Sequence, residues 1–412
     1  MDTIPIKSIK TLSFKRMRVL LRADLNVPLK EKNILQDYKL QALLPTISYI
    51  QNHGGKVILA THLGRPDAQG VSNFFNENLS TKILIPWFKK HGYSIDYEVD
   101  LLKAKEKSYQ HHTDILLLEN LRFFNGEKET NVEFAQILAD LADVYVNEAF
   151  GIIHRKDTSV IILAKQFLPQ NRGIGLLMER EIRALTKLKQ NPEQPFAIIL
   201  GGNKISDKVK LLERFMTNPI KPQFILIGGA IALPFLHAQE LCLNIVPESD
   251  SQTIALAKQI LHQAQEKDIE IQLPQDLVIT DQINSNEPET YPATATFSSS
   301  QHFVDIGQET IDTFRRTIDR AHTVFANGTM GIYENPKYAH GTKEILTAIA
   351  NAPAYTVIGG GDAASATHLF GLEKKMDYIS TGGGATLAFL AEPNPYENLP
   401  ALKVLITKTP TS

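Results

Sequence analysis

Short runs of β-branched and leucine residues recur along the chain, each too brief for a helix and each closed by polar or glycine-rich residues. In the first half they are RVLLRADL (18–25), KVILATHL (56–63), DILLLENL (114–121) and VYVNEAF (144–150). In the second half they are FAIILGG (196–202), FILIGGA (224–230), TVFANG (323–328), YTVIGGG (355–361) and DYISTGGG (377–384). Between them lie segments such as NVEFAQILADLAD (131–143) and SQTIALAKQILHQAQEK (251–267), whose apolar residues repeat at spacings of three and four. A strand that is apolar at every position must be covered on both faces, and helices with one apolar stripe provide the cover. The alternation predicts a doubly wound, three-layer α/β/α architecture with mainly parallel sheets, built once in each half.

A break at FLPQNRGIGLL (167–177) separates the halves, and MEREIRALTKLK (178–189) follows with helical spacing before NPEQP. This predicts an N-terminal domain over 1–172 and a C-terminal domain over 173–390 that begins with a connector helix at about 176–190, leaving a tail over 391–412. The polar segment SNEPETYPATATFSSSQ (285–301), with two prolines, reads as loops or edge strands. Composition adds little. The 412 residues are 43% hydrophobic and 21% charged, with a formal net charge of -2. That charge supplies no field for nucleic acid or an anionic membrane, so neither is expected as a partner. Cys242 is alone, which excludes an internal disulfide and favours a reducing compartment. MDTIPIKSIK lacks the apolar core of a signal peptide, and no run approaches the roughly 18 apolar residues of a membrane span. A cytoplasmic location is expected.

Ligands of open α/β sheets bind beyond the carboxyl ends of the strands. In the first half those ends carry polar and basic residues: Arg22, Asp24 and Asn26; His62 and Arg65; Glu119, Asn120 and Arg122; His154 and Arg155. One arginine after a strand is usually a solvated surface residue. Four successive strand ends, each with an arginine, predict convergence on one rim if the strands are neighbours. Guanidinium groups suit bidentate capture of carboxylate or phosphate, and Asp24 and Asn26 would read hydroxyl groups. A small, multiply anionic ligand is expected there.

The second half ends its strands in glycine: Gly201-Gly202, Gly228-Gly229, Gly359 to Gly361 and Gly382 to Gly384. Glycine admits backbone amides close to a bound group, and helix N-termini after such turns bind phosphate. GGNKISDK sets Lys204 and Lys208 four apart, on one face of a nascent helix, where both would meet nucleotide phosphates. Asp362, after three glycines, would hold Mg²⁺ through oxygen. There is no P-loop, no G-x-G-x-x-G opening a helix after a strand, no zinc spacing and no nucleophile elbow. The pieces point to a two-substrate enzyme in which an anion-binding domain faces a nucleotide-binding domain and a phosphoryl group passes between them.

RADLNVP, HLGRP, LLLENLRF, NEAFG..HR, GGNKISDK, ANGTMGIYE, GGGDAA and STGGGATL, in this order, resemble the signature series of the phosphoglycerate kinase family from about Ser8 to Leu402. The resemblance implies two Rossmann-like domains joined by an interdomain helix, with the tail returning to the N-terminal domain, in a monomer that closes by hinge motion. It implies reversible transfer between 1,3-bisphosphoglycerate and ADP, giving 3-phosphoglycerate and ATP, with Mg²⁺. By motif, Asp24, Asn26, Lys39, His62, Arg65, Arg122, His154 and Arg155 would bind the phosphoglycerate. Gly202, Lys204, Lys208, Gly228, Gly229, Asn327, Glu334, Gly360, Gly361, Asp362 and Ala363 would bind the nucleotide, with Asp362 as the metal ligand. Lys39, Lys204, Lys208, Gly361 and Gly384 would serve the transfer itself.

The departures from the family pattern gather at ligand-facing positions. Lys39 stands for an arginine, Asp157 for a histidine, Glu148 for an aspartate and Ala363 for a threonine or serine. Thr329 stands for a proline, Ala326 for a tryptophan, and IGGAIALPF for a segment richer in glycine and methionine. Three readings follow: an active but divergent kinase, a catalytically impaired relative that binds nucleotide or an anionic metabolite in a regulatory or interaction role, and a kinase with an altered acyl-phosphate or phospho-sugar substrate.

Overall fold

The computed structural model describes residues 4–66, 75–110, 112–203, 206–217, 221–241, 251–283, 287–298 and 300–407. Cys242 lies outside them. The chain divides into two units, residues 1–182 with 394–412, and residues 183–393.

In the first unit the apolar runs become the strands Arg18–Ala23, Lys56–Ala60, Ile115–Leu118 and Val144–Glu148. These pair in parallel in the spatial order 115–118, 56–60, 18–23, 144–148, with Ile95–Glu98 and Arg172–Ile174 at the two edges. Chain order reverses on either side of Arg18–Ala23. The strand therefore marks the switch point where an open sheet leaves a crevice at its carboxyl rim. Val19, Leu21, Val57, Leu59, Ile115 and Leu117 pack one face, against Leu40, Leu43, Ile47 and Ile50 of the helix Tyr38–Asn52. The tail belongs to this unit: the Ala401 amide donates to the Ile153 carbonyl at 3.1 Å, and Ile406 bridges Ile6.

The second unit repeats the scheme with Phe196–Leu200, Phe224–Ile227, Thr323–Asn327, Tyr355–Gly359 and Tyr378–Ile379. The parallel order is 270–272, 224–227, 196–200, 323–327, 355–359, 378–379. Here the reversal falls between Phe196–Leu200 and Thr323–Asn327. Most of the polar and glycine tails lie beyond the strands, while Asn147, Glu148, Asn327 and Gly359 are the last paired residues of theirs, so the strands end where the candidate chemistry begins. The segment read as loops or edge strands contributes Glu289–Pro292, an edge strand of an unforeseen antiparallel sheet with Asp276–Thr280 and His302–Ile306. Leu277 and Ile279 on the central strand pack against Leu233 and Leu236.

One buried carboxylate ties a strand to a helix. Glu148, the last residue of its strand, accepts hydrogen bonds from the amides of Leu177 (2.8 Å) and Met178 (2.9 Å) and from the Thr46 hydroxyl. It thereby closes the N-terminus of the helix Leu176–Gln190, which runs across the division between the units. Gly175 leaves room for this contact, since a Cβ there would overlap the carboxyl group.

Candidate functional site

The first unit's four polar strand ends belong to neighbouring parallel strands, so they meet on one rim. Asp24 lies at its centre. Its Oδ2 accepts from Lys39 Nζ at 2.8 Å, and His62 Nε2 stands 3.8 Å from Oδ1. Burial works against the Asp24 carboxylate, but Lys39, with the Asn26 amide, outweighs it and holds its pKa below the usual carboxylate range. Burial also opposes the Lys39 charge, and Asp24 more than restores it. Asn26 accepts from the Gly64 amide at 2.8 Å, which shapes the HLGRP turn. Asn120 Nδ2 holds the same turn by donating to the Leu63 and Leu79 carbonyls, each at 2.8 Å.

Arg122 is 8% exposed. Its Nη1 donates to the Gly64 carbonyl, whereas Nε and Nη2, both buried, find no hydrogen-bond partner among the described residues. Burial, followed by repulsion from Arg155, pulls its pKa down to about 10. An arginine held in place by one bond, with two donors left over, is arranged for a ligand oxyanion. Arg65 and His154 are exposed and Arg155 is half-buried.

Two expectations need correction. Arg22 does not reach the rim. It is fully buried, donating from Nε to Ser159 Oγ at 2.6 Å and pairing with Glu127 at 3.5 Å. The side chain of a strand residue must point to one face, and here that face is the interior. The two histidines also do not add to the cations. Burial drives the His62 pKa well below its ordinary value, aided by Arg22 and Arg122, and partial desolvation of the otherwise exposed His154 ring, with Arg155, lowers that of His154. Both imidazoles are neutral at pH 7 and offer hydrogen bonds rather than charge.

The second unit's glycine ends are likewise adjacent. Asn327, Lys208, Gly202, Gly360, Gly361, Asp362 and Gly384 line one cleft at the switch point, and a neighbouring cleft takes in Gly229 and Glu334. Gly328 (φ 89°) lets the backbone pass close to Gly201, where a Cβ would strike the Gly201 carbonyl and come within 2.9 Å of Lys208 Nζ. Lys208 is buried with its ammonium group on that carbonyl. Asn327 is 4% exposed, and its buried Nδ2 has no partner among the described residues. Gly360 (φ 91°) sits beside it as the N-cap of the helix Gly361–Leu369, and Gly383 caps Gly384–Ala391; no side chain caps either helix. Two uncapped helix N-termini on one cleft present amides and positive dipole ends to an anion.

The remaining expected residues are placed less directly. Lys204 lies outside the described residues. Gly228 is buried, where a Cβ would meet the Met330 thioether, and it lines neither cleft. Ala363 is wholly enclosed in the hydrophobic core, so only its backbone amide could serve a ligand. Asp362 is exposed in the first turn of its helix. Among the described residues no group of three or more His, Cys, Asp or Glu side chains is arranged to hold a metal. Asn203, not among the expected residues, lines both clefts, and Thr329, expected only as a departure from the family pattern, lines one of them. Their position inside the two motifs GGNK and ANGT was the available signal.

The profile described as phosphoglycerate kinase matches residues 9–392. The chain is 40% identical to the phosphoglycerate kinase of Dictyoglomus turgidum across 98% of its own length and 99% of the relative's. It is 36% identical to that of Bdellovibrio bacteriovorus across 98% of each. The chain belongs to the phosphoglycerate kinase family. Solved phosphoglycerate kinases agree in fold: that of Coxiella burnetii superposes with a TM-score of 0.81 at 31% identity, covering 97% of this chain and 98% of its own. The Pyrococcus horikoshii structure gives 0.82 at 29% identity, with the same coverage. The chain is therefore a transferase, a kinase of glycolysis, built as two Rossmann-like α/β units. No helix among the described residues is long and apolar enough to cross a membrane.

Proposed function

We propose that this phosphoglycerate kinase transfers a phosphoryl group reversibly between 1,3-bisphosphoglycerate and ADP, giving 3-phosphoglycerate and ATP. In the synthetic direction of the bisphosphate, a carboxylate oxygen of 3-phosphoglycerate attacks the terminal phosphorus of ATP as the bond to ADP breaks. Such a reaction needs alignment and neutralisation of charge more than a covalent nucleophile. The observation that carries the reading is Arg122, buried on the first unit's rim with two guanidinium nitrogens unpaired. Asp24, Asn26, Lys39, His62, Arg65, His154 and Arg155 would complete the phosphoglycerate site. In the second unit Lys208, Asn327 and the amides of Gly360, Gly361 and Gly384 would take the nucleotide phosphates, with Lys204 contributing, Gly228 and Gly229 flanking the base and Glu334 reaching the ribose.

Asp362 fits Mg²⁺ as a single exposed carboxylate beside the phosphate-binding amides. Mg²⁺ commonly takes one or two protein oxygens and completes its shell with phosphate and water, which agrees with the lack of a three-carboxylate cluster among the described residues. The bound ion would supply charge neutralisation between the outer phosphates. Hinge closure of the two units in turnover, a monomeric state and a cytoplasmic location complete the proposal. Purified protein with Mg-ATP and 3-phosphoglycerate, coupled to consumption of the bisphosphate product, is the test. Turnover abolished by Arg122→Ala, with ATP binding retained, supports the assignment. ATP binding without turnover in the wild-type protein would favour the impaired, binding-only role.

A further inference from the structure

Asp157 is an aspartate at a helix N-cap that does not act as a cap. It opens the helix Thr158–Gln166, and its carbonyl accepts from Val160 and Ile161, yet its side chain makes no capping bond. The residue is 7% exposed, and its buried Oδ2 has no hydrogen-bond partner among the described residues. A carboxylate oxygen in this state forfeits hydration without compensation, which is costly unless something else supplies a donor. The nearby charges do not do so. Asp157 acts electrostatically on Arg122 and His154, but no ion pair joins it to either. Arg122, in turn, keeps two buried nitrogens, Nε and Nη2, unpaired. The rim therefore holds an unsatisfied acceptor and unsatisfied donors within electrostatic reach of one another, both more than nine-tenths buried.

We infer that Asp157 is a specificity-determining residue of the anion site, one that selects ligands bearing their own hydrogen-bond donor beside an oxyanion. A phosphorylated hydroxy acid, or a phosphate that retains a proton, can give its oxygens to Arg122 and its O–H to Asp157 Oδ2. A bare anion such as sulfate satisfies Arg122 and leaves Asp157 facing negative charge without a donor. The site so built excludes simple anions that a purely cationic rim would accumulate. This rests on the proposed assignment of the rim to phosphoglycerate.

Calorimetric titration of the full-length protein, without nucleotide, with sulfate and with 3-phosphoglycerate tests it. Wild-type, Asp157→Asn and Asp157→Ala proteins are compared, and because the side chain makes no capping bond both variants are expected to fold, which urea denaturation checks. The ratio of the sulfate to the 3-phosphoglycerate dissociation constant is expected to fall by about tenfold or more in both variants, chiefly through tighter sulfate binding. An equal gain for the two ligands would reduce Asp157 to a general repulsive charge and overturn the inference, as would no change for either. Loss of the kinase reading would show separately, as absent turnover in the coupled assay.

Discussion

Replacing Glu148 by glutamine should remove a pH dependence from the stability of the first unit. The carboxylate is wholly buried, and although the Thr46 hydroxyl and the Leu177 and Met178 amides favour its charged form, burial dominates and pushes its pKa up to about 7 from an ordinary 4.5. The folded state therefore holds the proton more tightly than the unfolded chain does. Stability from this group is fully present below the unfolded value and is lost as pH rises through the folded one. A separation of about 2.5 pH units corresponds to about 3 kcal/mol in all, of which about 2–3 kcal/mol falls between roughly pH 5 and pH 8. Glutamine is neutral throughout and keeps one acceptor oxygen for the helix amides, so it surrenders a bond and removes the slope. Trp87, the single tryptophan, lies in this unit and reports its urea transition by fluorescence. That matters because burial also pushes Asp305 of the other unit up to about 7, and a global probe would mix the two. The wild-type protein should lose about 2–3 kcal/mol relative to Glu148→Gln over that range. A difference that stays constant with pH would show that the carboxylate remains ionised in its pocket and would refute the reasoning.

Gly175→Ala forces a Cβ against the Glu148 carboxyl and should lower the same Trp87 transition by about 1–3 kcal/mol; an unmoved midpoint would mean that the strand and helix part without cost. Lys39→Arg gives Asp24 and the substrate a planar fork in place of a point charge, and kcat/KM for 3-phosphoglycerate should rise by about threefold to tenfold. An unchanged value would put Lys39 outside the transfer step. Asn327→Ala removes a buried donor that has no partner among the described residues, so KM for Mg-ATP should rise by about tenfold while that for 3-phosphoglycerate holds. Equal increases would point to a general disturbance of the unit.

Much of the fold was legible because the strands are continuous apolar runs. Val57 to Ala60 and Ile115 to Leu118 are all buried, a burden only a central strand bears. The antiparallel sheet was legible only at its edge, Glu289–Pro292, because its other strands, Asp276–Thr280 and His302–Ile306, are five residues each and show no alternation of buried and exposed positions. Within the candidate site, residue types at strand ends were readable but their partners were not. Arg22 and Arg122 look alike in sequence, each near a strand end. Which one keeps free donors depends on Glu127 and Ser159, which are 105 and 137 residues from Arg22 along the chain and reach it only in the folded unit. Glu148 likewise read as a departure at a ligand-facing position, whereas it is engaged with the helix Leu176–Gln190.

Those contrasts separate scaffold from site on energetic grounds. Burying a charge is tolerable when the folded chain supplies its bonds, and then the group cannot serve a ligand without breaking them. Arg22 and Glu127 meet this condition: Glu127 accepts from the Ser159 amide at 3.0 Å and its hydroxyl at 2.6 Å, and Ser159 also takes the Arg22 Nε bond. Arg122 and Asp157 do not, and the fold retains them with polar atoms unsatisfied. Selection for stability alone would replace such groups or pair them, since each orphaned atom costs about 1–3 kcal/mol. Their retention within electrostatic reach of each other is explained if a ligand, present in the working state, supplies the missing partners of both. The same logic applies to Asn327 beside the uncapped helix at Gly360 in the second unit. Each unit thus places unsatisfied buried groups of this kind at the carboxyl rim of its sheet, where chain order reverses, although Arg172 Nε and Thr323 Oγ1, at the amino ends of their strands, are unsatisfied as well.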